Sequence, residues 1–318
     1  HTNHGLYATL YSFPAMMKRN LMKGSVIPRY SGLPTVLKEN GYYNLFFMTH
    51  EGQYDNMNAF FRTNGYDEVF SQENYPADKV VNSFGVQDDF LYDYAIPVLN
   101  QRAATGEPFF ATLLSISNHP PYVIPPFFHP KTSEPEKQIV EYADWALRKF
   151  FEEARKQPWF DNTIFVLEGD HGKLVGDAEC ELPESYNHIP LMIYSSRIHP
   201  EEKKTFGGQV DIQPTILGLV NIDYLQNNFG VDLLKEERPC MFYTADNMIV
   251  GRNDTLLYLY NYETQQEFTY HIDNGKLKAV PMDDRFLPLK EYSFSMLQSA
   301  EFLVKHGKTV NSVPVTQQ

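Results

Sequence analysis

"IFVLEGDHGK" occupies residues Ile164–Lys173. Its first four residues, Ile164 to Leu167, are all apolar. A short apolar run bounded by turn residues reads as a strand buried on both faces, the kind found in parallel sheets. The run ends in Glu168, Gly169, Asp170, His171 and Gly172. In parallel α/β sheets, ligands bind beyond the carboxyl ends of the strands. The two glycines allow close approach of backbone there. A carboxylate beside an imidazole suits Zn²⁺ or Mn²⁺. An ordinary turn would use the same residues, with Asp170 closing an Asx-turn and His171 packed beside it.

Strand-like and helix-like segments alternate on both sides of this stretch, which predicts a mainly parallel sheet flanked by helices. In "GLPTVLKENGYYNLFFMTH" the pattern predicts a helix over Thr35–Asn40, a stop at Gly41 and a buried strand over Asn44–Thr49. A strand is predicted over Phe109–Ser117. A helical stripe follows through Ile139, Tyr142, Ala143, Ala146, Leu147, Phe150 and Phe151. Further on, "IPLMIYS" reads as a strand over Ile189–Ser195, and a helix starts near Ile212 with Asp211 at its N-terminus. The last eighty or so residues change character: "CMFYT", "MIVGR", "TLLYLYNY" and "EFTYHI" read as short antiparallel strands. A helix near Leu289–Lys305 closes the chain. No linker or repeat interrupts it. The expectation is one domain over residues 1–318, with a core at 1–235 and a small C-terminal antiparallel subregion at 236–318.

At 318 residues the chain can bury roughly 75% of its unfolded surface, so its core needs no staples. The 21 Tyr and 23 Phe predict a thick core and aromatic-lined clefts. A formal charge of -13 argues against a nucleic-acid backbone as the main partner, and an anionic substrate would need a local cationic or metal site. Cys180 and Cys240 form no C-x-x-C pair, which leaves no zinc or redox motif. They are either one disulfide or two buried thiols. No apolar run reaches the ~18 residues that span a bilayer. The chain opens at His1 directly on a motif, and reads as a fragment whose natural start lies upstream.

Two more histidines end apolar runs: His50 after "NLFFMT" and His119 after "FFATLLSIS". Each alone could be a histidine at the edge of the core. Three strands that each end in a histidine would place those side chains on one rim of one sheet. At the N-terminus, "HTNHGLYATLYSFP" places Thr2 just before a helix predicted over Asn3–Tyr11. A hydroxyl there is either an N-cap or, at an anion-attracting helix end, a nucleophile activated by a metal.

Taken in order, "HTNHG", "GLPTVLKENGY", "FFMTHEGQYDNM", "LLSISNHPPY", "WFDNTIFVLEGDHG", "IPLMIYS" and "GGQVDIQPTILGLVNI" resemble the sulfatase-like branch of the alkaline phosphatase superfamily. The likeness is greatest to lipoteichoic acid synthases and related phosphoglycerol or phosphoethanolamine transferases. The resemblance implies an alkaline phosphatase/sulfatase-like fold. Thr2 falls on the family's threonine nucleophile, which is also a metal ligand. Asp170 and His171 fall on its metal-binding Asp-His pair, and His50 and His119 on histidines that contact the phosphate ester or its leaving group. His188 matches a further histidine of some members, and Asn56 lies where substrate contacts occur. The family's first metal ligand, an acid on a strand upstream of the nucleophile, would precede this chain. True sulfatases use Cys or Ser in a C/S-x-P-x-R motif. Neither cysteine here has that setting, so the threonine points to phosphorus chemistry.

The implied function is a metal-dependent phosphodiester transferase, with Mn²⁺ or Zn²⁺ ahead of Mg²⁺ or Ca²⁺. It would move a phosphoglycerol- or phosphoethanolamine-type group through a phosphothreonine, taking a phospholipid head group as donor. His119 would protonate the departing alcohol. The implied location is the extracytoplasmic face of a bacterial membrane, periplasmic or extracellular, with membrane association through segments absent from this chain. A sulfate- or phosphate-ester hydrolase of the same superfamily is the alternative. A non-catalytic binding domain that keeps the fold is a second.

Overall fold

The computed structural model describes residues 1–17, 19–23, 26–174 and 176–311. The chain divides into two compact units. One holds residues 34–165 and 194–198; the other holds residues 1–33, 166–193 and the chain from His199.

In the first unit, α2 (Leu33–Glu39) leads into β1 (Tyr43–Met48). After them come α3 (Met57–Thr63), β2 (Glu68–Phe70), α4 (Asp88–Ala103), β3 (Phe109–Leu114) and α5 (Pro135–Ala154). The strands form a parallel sheet in the order β2-β1-β3. The register pairs Phe47 with both Phe70 and Leu113, so the strand ends are level. Leu45 and Phe47 on one face of β1 join Leu91, Ala95, Leu99 and Phe150 of the flanking helices, and Trp159 of the turn after α5, in one buried cluster. The helical stripe expected on α5 is the side that packs: Ile139, Tyr142, Ala146 and Phe150 are all buried. The strand predicted over Phe109–Ser117 stops at Leu114, because the N–H groups of Ile116 and Ser117 turn away to the carboxylate of Asp88.

The second unit contains α1 (Thr2–Tyr11), β5 (Leu191–Tyr194) up to Ile193, and most of β4 (Phe165–Glu168). It also holds α6 (Ile212–Leu219) and the C-terminal elements. β4 pairs with β5 in a sheet of its own. This corrects the expectation of a single rim: the strands before His50 and His119 share a sheet, whereas Asp170 and His171 follow a strand of another. No ladder joins β3 to β4 among the described residues. The C-terminal strands are β6 (Met241–Ala245), β7 (Met248–Arg252), β8 (Leu256–Asn261), β9 (Gln266–Asp273) and β10 (Lys276–Ala279). They form an antiparallel sheet in the order β10-β9-β8-β7-β6, closed by α7 (Leu287–Lys305).

An aromatic core of Tyr7, Tyr11, Phe13, Tyr30 and Phe229 surrounds α1. Near it, Arg238 and Asp211 form an ion pair with almost no exposed surface. Asp211 also accepts from the N–H groups of Gly208 and Val231, so the buried charge is well partnered. Cys180 and Cys240 are free thiols, the second buried and the first partly exposed.

Candidate functional site

Thr2 is the first residue of α1, and His1, not Thr2, is the N-cap. The helix predicted from Asn3 thus starts one residue earlier, and the N-cap alternative for Thr2 falls away. His1 makes no side-chain capping bond, and the hydroxyl of Thr2 is turned to another strand's end. Three contacts set α1 against the end of β4. Thr9 Oγ1 donates to Glu168 Oε1 at 2.6 Å. A Cβ on Gly5 would lie 2.2 Å from the carbonyl oxygen of Asp170, so only glycine lets the helix come this close. From the loop before α6, Gln209 Nε2 donates to the carbonyls of Gly169 and Asp170, at 3.1 and 2.9 Å.

This packing brings Thr2, Asp170 and His171 together. Thr2 Oγ1 donates to Asp170 Oδ2 at 2.6 Å. The backbone N–H of His171 donates to Asp170 Oδ1 at 2.9 Å. His171 Nε2 lies 3.6 Å from Asp170 Oδ2, with 41% of the imidazole and 33% of the carboxylate side chain exposed. His171 Nδ1 is 2.8 Å from the carbonyl oxygen of Gly172. A carbonyl only accepts, so Nδ1 carries a proton, and in the neutral imidazole Nε2 is the lone-pair nitrogen on the Asp170 side. In that form Nε2 and Oδ2 are two electron-rich atoms beside a hydroxyl, a set that a cation would complete. Locking the other ring nitrogen on a backbone carbonyl is also how metal-binding histidines are oriented. The donor set of hydroxyl, carboxylate and imidazole therefore fits a divalent ion of the Mn²⁺ or Zn²⁺ type. Among the described residues, no three of His, Cys, Asp and Glu gather at ligand spacing.

Glu168 stands two residues before Asp170. Burial pushes its carboxyl up from 4.5 to about 8, opposed by the Thr9 hydrogen bond and reinforced by the charge of Asp170. Its Oε2 has no hydrogen-bond partner among the described residues. Between the ordinary carboxyl range and about pH 8, the metal-free folded protein binds a proton here that the unfolded chain has released. Stability therefore falls as pH rises through that window. Glu168→Gln should flatten this fall. Urea midpoints at pH 5 and pH 9 in chelator measure it, and a variant that loses as much stability as the parent would contradict the assignment.

His50, Asn56 and His119 belong to the other unit. His50 follows β1 with 2% of its surface exposed. Its Nδ1 is 3.1 Å from the carbonyl of Glu51, and its ring lies 4.7 Å from that of Tyr54. Burial holds its pKa below the usual histidine value, against the backbone bond to Glu51 and the charges of Asp55 and Glu73. Asp55 and Asn56 both adopt left-handed backbone, with φ of 51° and 62°. Two such residues in succession store strain, of the kind that collects at ligand-binding turns. His119 follows β3, partly exposed. Its Nδ1 is 2.6 Å from the carbonyl of Pro120, so the backbone engages Nδ1 and not Nε2. His188 lies in the unit of Asp170 and is exposed; its backbone N–H donates to the carbonyl of Glu184.

Sequence reasoning passed over Gly5, Gln209 and Glu168. Gly5 did carry a signal, since glycine inside a helix costs about 1 kcal/mol and calls for a packing reason. Nothing local marks Gln209.

The Sulfatase family model matches residues 1–222. Lipoteichoic acid synthase 1 of Bacillus subtilis (strain 168) is 26% identical over 274 residues, covering 79% of this chain and 41% of that protein. Lipoteichoic acid synthase of Staphylococcus saprophyticus is 26% identical over 235 residues, covering 65% and 35%. The chain thus spans less than half the length of these curated relatives. Among solved structures, a protein of the alkaline phosphatase superfamily from Vibrio parahaemolyticus superposes with a TM-score of 0.87 at 25% identity, covering 98% of this chain and 78% of that one. The lipoteichoic acid synthase LtaP from Listeria monocytogenes shares the fold, with a TM-score of 0.80 at 22% identity over 96% of this chain and 80% of that one.

Proposed function

This chain belongs to the Sulfatase family, and we propose that it is the catalytic part of a metal-dependent phosphodiester transferase that works through a phosphothreonine. The observation that carries the reading is the Thr2 hydroxyl, held 2.6 Å from Asp170 Oδ2 at the start of a buried helix. Relatives named lipoteichoic acid synthase support a phosphoglycerol- or phosphoethanolamine-type group as the cargo and a phospholipid head group as donor. No helix among the described residues is long and apolar enough to cross a membrane. Membrane association through segments outside this chain, on the extracytoplasmic side, goes with the same reading.

Thr2, Asp170 and His171 would hold the ion, Mn²⁺ or Zn²⁺ before Mg²⁺ or Ca²⁺. When bound, it supplies positive charge to the phosphoryl oxygens and lowers the pKa of the hydroxyl. The chain's own residues do the rest. The N-terminal end of α1 attracts the anionic phosphodiester through its helix dipole. Thr2 Oγ1 gives up its proton to solvent and forms a bond to phosphorus, and the bond from phosphorus to the donor's alcohol oxygen breaks. That oxygen leaves as the alcohol once it takes a proton from His119 Nε2. The neutral nitrogen then accepts the proton of the incoming alcohol, which takes the phosphoryl group from Thr2, and Thr2 Oγ1 regains a proton from solvent. His50 contacts the ester, with His188 and Asn56 as further substrate contacts.

The test compares two phosphodiesters in His119→Ala, one that releases glycerol and one that releases nitrophenolate. Loss of a general acid should slow glycerol release by about 10²–10⁴-fold and nitrophenolate release far less, since that group leaves without a proton. Equal slowing on both substrates would remove His119 from the acid role. Product analysis with and without an added alcohol separates transfer from hydrolysis.

A further inference from the structure

Between β2 and α4 the chain makes a tight turn, Asn82–Gly85, that no part of the proposed reaction uses. Asn82 Oδ1 accepts from the N–H of Phe84, and the N–H of Gly85 donates to the carbonyl of Asn82. From this turn to the first residue of α4, five successive residues reach the ends of two neighbouring strands. Gly85 has φ of 89°, and a Cβ on it would lie 1.8 Å from the carbonyl oxygen of Thr49 and 2.9 Å from the Cα of His50. Glycine is required there twice over, for its backbone angle and for the approach. The next N–H, of Val86, donates to that same Thr49 carbonyl.

On the other side, the ring of Phe84 lies 4.2 Å from the imidazole of His119. Gln87 Nε2 donates to the carbonyl of Val123 at 2.6 Å. Asp88 is 2% exposed, and its Oδ1 accepts from the N–H groups of Ile116 and Ser117 at 2.9 and 3.0 Å. Its own N–H donates to the Ser117 hydroxyl. The loop after β3 is thus gripped before His119, at His119 and beyond it, by the segment that also packs on the residue before His50.

We propose that Phe84–Asp88 is a shared positioning element that sets the imidazoles of His50 and His119 relative to each other, with Phe84 and Asp88 fixing His119 and Gly85 fixing His50. This rests on the roles proposed above for the two histidines. The physical argument is that neither histidine is placed by its own strand. β1 ends at Met48 and β3 at Leu114, so both side chains lie on irregular backbone whose direction needs an outside support. Asp88 acts through two N–H groups, one part-buried and one buried, which only an acceptor can satisfy. A neutral oxygen should serve as well as a charged one.

The experiment uses histidine-labelled enzyme and reads imidazole NMR signals together with the two-substrate kinetics. Phe84→Ala and Asp88→Ala should each move the His119 signals, and Gly85→Ala those of His50. Asp88→Asn should return the His119 signals to their original positions. Asp88→Ala should slow glycerol release by about 10–100-fold, the scale of a displacement near 1 Å, and nitrophenolate release much less. In the Asp88→Ala/His119→Ala double variant the loss should not exceed that of His119→Ala alone, because both changes remove one function. Should Asp88→Ala fail to fold, Phe84→Ala carries the same test from a partly exposed position. Unmoved His119 signals in Phe84→Ala, or full additivity in the double variant, would overturn the proposal. Signals that move while neither substrate slows would leave the positioning role standing and remove the catalytic role of His119.

Discussion

Thr2→Ala is expected to abolish phosphodiester turnover by the intact protein, by roughly 10⁴-fold or more, the scale of deleting a covalent nucleophile. The variant should fold. Thr2 makes no capping bond for α1, and the contacts that seat the helix come from Gly5 and Thr9. Loss of its hydrogen bond to the Asp170 carboxylate costs about 1.5–3 kcal/mol at most, and the packing of the helix remains. Thr2→Ser keeps the oxygen and should retain part of the activity. Intact-mass measurement after quenching with substrate should show a phosphoryl adduct in the parent and none in Thr2→Ala. Turnover that survives in Thr2→Ala would eliminate the covalent mechanism, and with it the main reason for reading the protein as a transferase.

Asp170→Asn is expected to weaken binding of Mn²⁺ or Zn²⁺ by more than about 100-fold, beyond the 10–100-fold typical of losing an outer partner of a metal site. The substitution keeps the shape of the side chain and an acceptor for the N–H of His171, and it removes the charge. With a third of the side chain exposed, the metal-free fold should lose little. Calorimetry gives the affinity directly. Thermal unfolding gives it independently of activity, since a ligand at a hundred times its Kd adds about 2.7 kcal/mol to stability. The melting temperature of the parent should rise on adding metal, and that of Asp170→Asn should not. A variant that binds the ion as well as the parent would place the metal elsewhere.

Strand and helix types were legible wherever the apolar pattern repeats locally. The run before Asp170, the strand before His50, the stripe of α5 and the C-terminal hairpins all appear where the pattern puts them. α4 was not legible. Asp88–Ala103 contains Pro97 and buries Asp88 along with Leu91 and Ala95, so the polar residue that matters sits where a pattern reader expects solvent. β2 is three residues long, too short to show alternation. Shortening of the strand after Phe109 depends on a carboxylate 28 residues earlier in the chain.

For the candidate site, residue types and strand-end placement came from the sequence: a threonine at a helix start, an Asp-His pair after one apolar run, a histidine after each of two others. Their chemistry is local, and short motifs record it. What the tertiary structure alone decided is which of these atoms meet. Thr2 and Asp170 are 168 positions apart, and their 2.6 Å contact exists because a missing side chain at Gly5 lets α1 settle against the end of β4. Nε2 of His171 is the nitrogen toward Asp170 because a backbone carbonyl holds its other nitrogen. Periodicity along a chain reports which face of a segment avoids water. The separation of two side chains depends on how segments distant in sequence pack, and no local pattern encodes it.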